Sequence, residues 1–277
     1  AALGGRQDEI RDAFGTEYSM NAIIARYPKP YVAIMNGIVM GGGMGLSVHG
    51  SYRVVTETTQ MAMPETAIGF FTDIGASYFL PRVTRGAGSS TDDDAARHES
   101  LAVARYLGLS GARINGADAI ALGLADTYID SADVDAFVDT VLADGVDAAT
   151  SSYAKQAPES ELVGRWDEIV ATYGADGFEE VVRNAGSDLD GMSPTSLARV
   201  FELLQRGAQD DDVVSCLRRE LRMAEDTAVG HDFIEGVRAM VVDKDKNPQW
   251  EPATVAEVDM DRIRNVADQE SDLPISV

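Results

Sequence analysis

The feature that most limits what this chain can fold into lies between Tyr31 and Thr56. An apolar run, Tyr31-Val-Ala-Ile-Met-Asn-Gly37, is followed closely by Gly41-Gly42-Gly43-Met44-Gly45. A short, continuously apolar run predicts a buried strand. The glycines predict a tight turn into a small-residue helix reaching about His49, and Tyr52-Arg-Val-Val-Thr56 predicts a second strand. Strand, glycine turn, helix and strand make a βαβ unit with a right-handed crossover, which puts the chain among α/β proteins. The glycines themselves have two readings. They permit close helix–strand packing, or they let a ligand approach a helix start whose amides are unpaired and partly positive. No Lys-Ser/Thr follows, which excludes a P-loop, and no dinucleotide-type GxGxxG unit is present.

The rest of the chain is read around that unit. Ile10, Phe14, Tyr18, Ile23 and Ile24 recur near helical spacing, so residues 8–26 are expected to be a helix ending before Tyr27-Pro28-Lys29-Pro30. Residues 61–83 read mostly as loop and turn, and Ile74 to Leu80 as a helix. The Gly-, Ser- and Asp-rich stretch 84–98 reads as a flexible insertion, and Tyr128-Ile129 as a last short strand. From Ala132 the pattern is helical. Ser193-Pro194 predicts a helix start, Leu197, Val200, Phe201 and Leu204 one apolar face, and residues 213–224 and 233–242 two further helices.

Composition narrows the partners. The formal net charge is −23, spread along the chain, which opposes binding to nucleic acid or to an anionic membrane. An anionic coenzyme would need a local basic exception to that field. No apolar run approaches a membrane span, and Ala1 to Arg11 lacks a basic segment leading into an apolar one. Cys216 is the only cysteine, so no internal disulfide forms, and a reducing cytoplasm is the expected location. His49, His98 and His231 lack metal-ligand spacing, and no metal is expected.

Met35-Asn36-Gly37-Ile38-Val39-Met40-Gly41-Gly42-Gly43 resembles the N-G-x-x-x-G-G-G pattern of the crotonase superfamily. Met63-Pro64-Glu65-Thr66-Ala67-Ile68-Gly69-Phe70-Phe71-Thr72-Asp73-Ile74-Gly75 and Tyr78 to Arg82 resemble its hydroxyisobutyryl-CoA hydrolase branch. Ser193 to Ser196 and Gly230 to Arg238 continue that likeness. The resemblance implies a ββα spiral core over residues 1–130 and a mainly helical region over 131–277. It also implies that early core strands and a second oxyanion amide belong before Ala1. The substrate it implies is an acyl-CoA, with no cofactor beyond the CoA that the substrate carries, and self-association into a homo-oligomer is one expected arrangement.

Thioester hydrolysis requires a polarised carbonyl and a base or carboxylate nucleophile. By resemblance Gly42 donates its amide to the thioester oxygen between Gly41 and Gly43. Glu65 is then the base or nucleophile, Asp73 completes the acyl site, and Glu17 reaches the hydroxyacyl end. The residues alone leave plainer roles open: a Pro-Glu surface turn for Glu65, a helix N-cap for Asp73, and an exposed helical carboxylate for Glu17. In enoyl-CoA hydratases a second glutamate sits three residues after the oxyanion glycine, and here that position is Gly45. This favours hydrolysis over the alternatives, an enoyl-CoA hydratase or isomerase and a non-catalytic acyl-CoA-binding subunit.

Overall fold

The computed structural model describes residues 7–86, 93–271 and 275. Helix α1 (Gln7–Ala25) leads into β1 (Val32–Met35) and β2 (Ile38–Met40), then α2 (Gly42–Ser47), β3 (Tyr52–Val55) and β4 (Gln60–Ala62). The expected βαβ unit therefore contains a further strand. Gly37, with φ +116°, turns the chain between β1 and β2, so the unit is two strands and a helix rather than one. β1 pairs in parallel with β3, Ile34 opposite Val54, while β2 pairs in parallel with β4, Val39 opposite Met61. Repeating ββ in this way builds two small sheets side by side, in the orders β1-β3-β6 and β2-β4-β5, where β5 is Ile114–Asn115 and β6 is Thr127–Tyr128. β2 and β4 escape sequence reading because three residues are too few to show alternation. Val32 and Ile34 are only half-buried, so β1 is less enclosed than its apolar run suggests.

A 3-10 turn, Glu65–Ile68, follows β4, and then come α3 (Ala76–Phe79), α4 (Asp94–Ser110) and α5 (Gly116–Ala121). The Gly-, Ser- and Asp-rich stretch is shorter than expected. Asp93 caps α4 by accepting from the Ala96 amide, so residues 94–98 are helical, and 87–92 lie outside the described residues. Past Ser131 the described residues are helical or irregular apart from one bridge, Tyr128 to Lys155. Five short helices, α6 (Val134–Asp144), α7 (Val146–Tyr153), α8 (Glu161–Gly164), α9 (Trp166–Tyr173) and α10 (Phe178–Ala185), precede α11 (Pro194–Gly207) and α12 (Val213–Thr227). Ser193 caps α11 as its Ser-Pro start predicts. The expected helix over 233–242 is α13 (His231–Val237) followed by a π turn at Arg238–Val242; α14 (Met260–Ala267) ends the series.

The main core joins these parts. Met44, Met61, Phe71 and Ile74 from the first half share one buried cluster with Trp166, Leu197, Leu217 and Leu221 from the second. Helices α11 and α12 pack on α3, and α12 packs along α1. The two longest C-terminal helices thereby close over the segment that carries Glu65 and Asp73.

Candidate active site

Gly41 precedes α2 with φ 51° and ψ −126°, a backbone conformation that side chains exclude, and Gly42 is the first residue of the helix. The amides of a first helical turn have no partner within the helix, so Gly42 N–H is available to a ligand oxygen. Two carboxylates stand against these glycines. A Cβ placed on Gly41 would lie 3.0 Å from Glu65 Oε1, and one on Gly42 would lie 3.0 Å from Glu17 Oε1. Gly43 is roomier, its nearest neighbour being Val39 Cγ1 at 3.7 Å. The sequence candidates Glu17, Gly41, Gly42 and Glu65 are thus brought to one place by α1, the start of α2 and the 3-10 turn after β4.

Glu65 is not on a surface turn. It is 8% exposed, and its Oε2 is buried without a hydrogen-bond partner. Burial pushes its pKa up to about 8, which suits a group that must take and return a proton near neutral pH. The turn that carries it is clamped from three sides. Thr66 Oγ1 donates to Leu109 O on α4 at 3.0 Å, Ser193 N donates to Thr66 O at 3.1 Å, and Gly69 lies so close to Asp232 O that a Cβ would come within 2.0 Å. Ser193 Oγ also donates to Asp232 Oδ2 at 2.5 Å, joining α11 to α13 behind the turn. The Ser193 and Gly230 motifs therefore serve to hold Glu65 in place.

Asp73 is buried and is not a helix cap; the residue before α3 is Gly75. Its Oδ2 accepts from Tyr18 Oη at 2.8 Å. Burial first, and then the Glu65 charge, hold its pKa well above the usual carboxylate range, against the pull of the Tyr18 hydroxyl. Burial also raises Glu17. Sequence reading missed a fourth carboxylate, Glu220 on α12. It accepts from Gly75 N at 2.7 Å, Ser77 N at 3.1 Å and Ser77 Oγ at 2.5 Å, and burial raises it to about 7. Tyr18 was legible only as part of an apolar helix face. Glu220 gave no signal, because 145 residues separate it from the amide it receives.

Gly45 explains itself in space. A Cβ there would come 2.7 Å from Asn21 Nδ2 and 3.0 Å from Ile74 Cβ. A glutamate at this position would require the Asn21 carboxamide to swing aside and Ile74 to yield by a few tenths of an ångström. The site therefore sets the buried Glu65 against the glycine turn, while Gly45 carries no second glutamate of the kind that water addition across a double bond would use. Among the described residues no cluster of His, Cys, Asp and Glu could hold a metal ion.

A family model described as enoyl-CoA hydratase/isomerase matches residues 1–267. Among similar curated proteins, the mitochondrial 3-hydroxyisobutyryl-CoA hydrolase of Xenopus laevis is 37% identical over 275 residues, covering 91% of this chain and 67% of that protein. Its human counterpart is 34% identical over 274 residues, covering 91% and 67%. The chain spans about two thirds of the length of these relatives. Among solved structures, a carnitinyl-CoA dehydratase from Mycobacterium thermoresistibile is similar with a TM-score of 0.86 at 37% identity, over 98% of this chain and 77% of that one. An enoyl-CoA hydratase from Rhodobacter sphaeroides 2.4.1 gives a TM-score of 0.82 at 30% identity, over 96% and 76%.

Proposed function

The chain belongs to the enoyl-CoA hydratase/isomerase (crotonase) family, and from that premise we propose that it hydrolyses a short hydroxyacyl-CoA thioester, 3-hydroxyisobutyryl-CoA, to 3-hydroxyisobutyrate and CoA, a step in valine catabolism. The observation that carries this reading is the pairing of a buried, proton-holding Glu65 against the glycine turn with a glycine, Gly45, packed on Asn21 and Ile74 where the hydratase pattern has its second glutamate. The names of the curated relatives support the same reading.

In this scheme the thioester oxygen lies at Gly42 N–H, where the helix start meets the negative charge that develops on it. Ionised Glu65 either removes a proton from water, whose oxygen then attacks the carbonyl carbon, or attacks that carbon itself before water does. In both cases the C–S bond breaks, the thiolate leaves and is protonated, and water supplies the new acid oxygen. Asp73, which accepts from Tyr18, is pushed toward its protonated form by burial first and then by the Glu65 charge. It is thus the acid within reach of the site. Glu17, across Gly42, faces the acyl end.

The decisive comparison measures CoA release from 3-hydroxyisobutyryl-CoA by thiol trapping, alongside loss of enoyl absorbance from crotonyl-CoA. Thiol release is expected to dominate. Hydration clearly exceeding hydrolysis would return the chain to the hydratase reading.

A further inference from the structure

We propose that Asn21 is a substrate-binding residue whose carboxamide receives the hydroxyl of the acyl chain and so selects hydroxylated over deoxy thioesters. The proposal rests on the hydrolase reading and names the part of the substrate that the site recognises. Asn21 follows Glu17 by one helical turn on α1, so the two side chains project from the same face. It is 1% exposed, yet neither Nδ2 nor Oδ1 has a hydrogen-bond partner. Buried side-chain amides are nearly always satisfied, and an asparagine that only filled space would be replaced without loss by leucine.

The position of the group shows what would satisfy it. Its Nδ2 is the atom that a Cβ on Gly45 would meet at 2.7 Å, beside Ile74, the neighbour of Asp73. Gly42, whose own Cβ would meet Glu17 Oε1 at 3.0 Å, lies one turn earlier on α2. The carboxamide therefore sits against α2, between the oxyanion glycine and the Asp73 segment, and an acyl chain held at Gly42 that extends along α2 toward Ile74 would meet it. An unpaired NH2 and an unpaired carbonyl oxygen on a single group match an alcohol, which accepts a hydrogen bond from the one and donates to the other. A ketone or carboxylate would use only the donor, and an alkyl group neither.

The test is Asn21→Leu, which keeps the approximate volume and removes both polar atoms, with Asn21→Ala as a second variant. CoA release is followed from 3-hydroxyisobutyryl-CoA and from isobutyryl-CoA, which differ only in the hydroxyl. The wild type should favour the hydroxylated thioester in kcat/KM. Both variants should lose roughly 10- to 100-fold on that substrate, the range for one unpaired buried polar group, while the isobutyryl rate holds. The melting temperature of Asn21→Leu should not fall, because an unsatisfied amide has been replaced by apolar atoms. A wild type indifferent to the hydroxyl, or variants that keep the wild-type ratio, would overturn the proposal and leave Asn21 a packing residue around a buried water. Release of thiol from neither substrate by the wild type would overturn the hydrolase reading itself, and this proposal with it.

Discussion

Glu65 shows how one residue acquires a function from its surroundings. An ordinary glutamate ionises near 4.5, whereas burial moves this one to about 8, so it is mostly protonated at pH 6 and mostly ionised at pH 9. If the ionised form starts the reaction, kcat/KM should climb with pH and level off above about 8; a flat profile between pH 6 and 9 would remove Glu65 from the proton-taking role. Glu65→Gln should lower kcat by about 10²-fold or more while leaving CoA binding intact, since a base acts in the transition state. The same burial has a stability consequence. The folded pKa is raised above the unfolded one, so the contribution of this group to folding is complete below about 4.5 and is lost as pH rises through 8, an effect on the order of a few kcal/mol. Glu65→Gln escapes that loss. Its melting temperature relative to wild type should therefore increase from pH 5 to pH 9, which paired thermal melts at the two pH values would check.

At the scale of elements, the segment from Asp73 to Phe79 is what the sequence conceals. Ile74 has φ +58° and Gly75 φ +82°, and a left-handed conformation is strained for a β-branched residue, costing about 1–3 kcal/mol. The strain persists because its surroundings fix it: Ile74 is buried, its carbonyl meets His49 Nε2 at 2.7 Å, and Glu220 holds the next amides. This turn aims Asp73 back at Tyr18 instead of capping α3. Periodicity disclosed α1, α11 and α12, and the motif order named Gly42, Glu65 and Asp73 as candidates. Neither could disclose that α12 reaches the Asp73 turn, because Glu220 has the spacing of any helical glutamate and its partners are set by tertiary packing. The same holds for Asn21, which reads as a neutral helical position until Gly45 is seen to lie against it. Glu220→Ala should leave two buried amides and a hydroxyl without their acceptor. The expected outcome is a loss of about 3 kcal/mol in denaturant unfolding and a fall in kcat larger than any change in KM, since the turn that Glu220 holds is the one that carries Asp73. Unchanged kcat in the folded variant would show that the turn holds its shape without Glu220.

For the whole molecule the governing quantity is the net charge of −23, which acts on folding and on substrate capture together. Charge of one sign distributed over a compact surface repels itself, and that repulsion relaxes when the chain unfolds. Acyl-CoA carries phosphates and meets the same field. Three positive side chains do line one cavity of about 400 Å³, namely Arg26, Arg53 and Arg82; His49 lines it too, but burial disfavours its charged form. Two of its arginines are offset by carboxylates, Arg26 by Asp212 and Arg53 by Asp126, and only Arg82, which donates to the neutral carbonyls of Tyr78, Gly207 and Asp210, keeps an unpaired charge against the field. Salt should then help twice. Between about 0.01 M and 0.5 M sodium chloride the screening length falls from roughly 30 Å to under 10 Å. The urea midpoint should rise, because long-range repulsion is removed while short ion pairs such as Arg199 to Asp226, buried at 2.9 Å, are screened much less. KM for the acyl-CoA should fall over the same range with kcat nearly constant, since encounter is eased and the buried chemistry at Glu65 is untouched. The opposite trend in KM, rising with salt, would mean that a net attractive patch steers the coenzyme after all, and that the acidic surface is interrupted where the nucleotide lands.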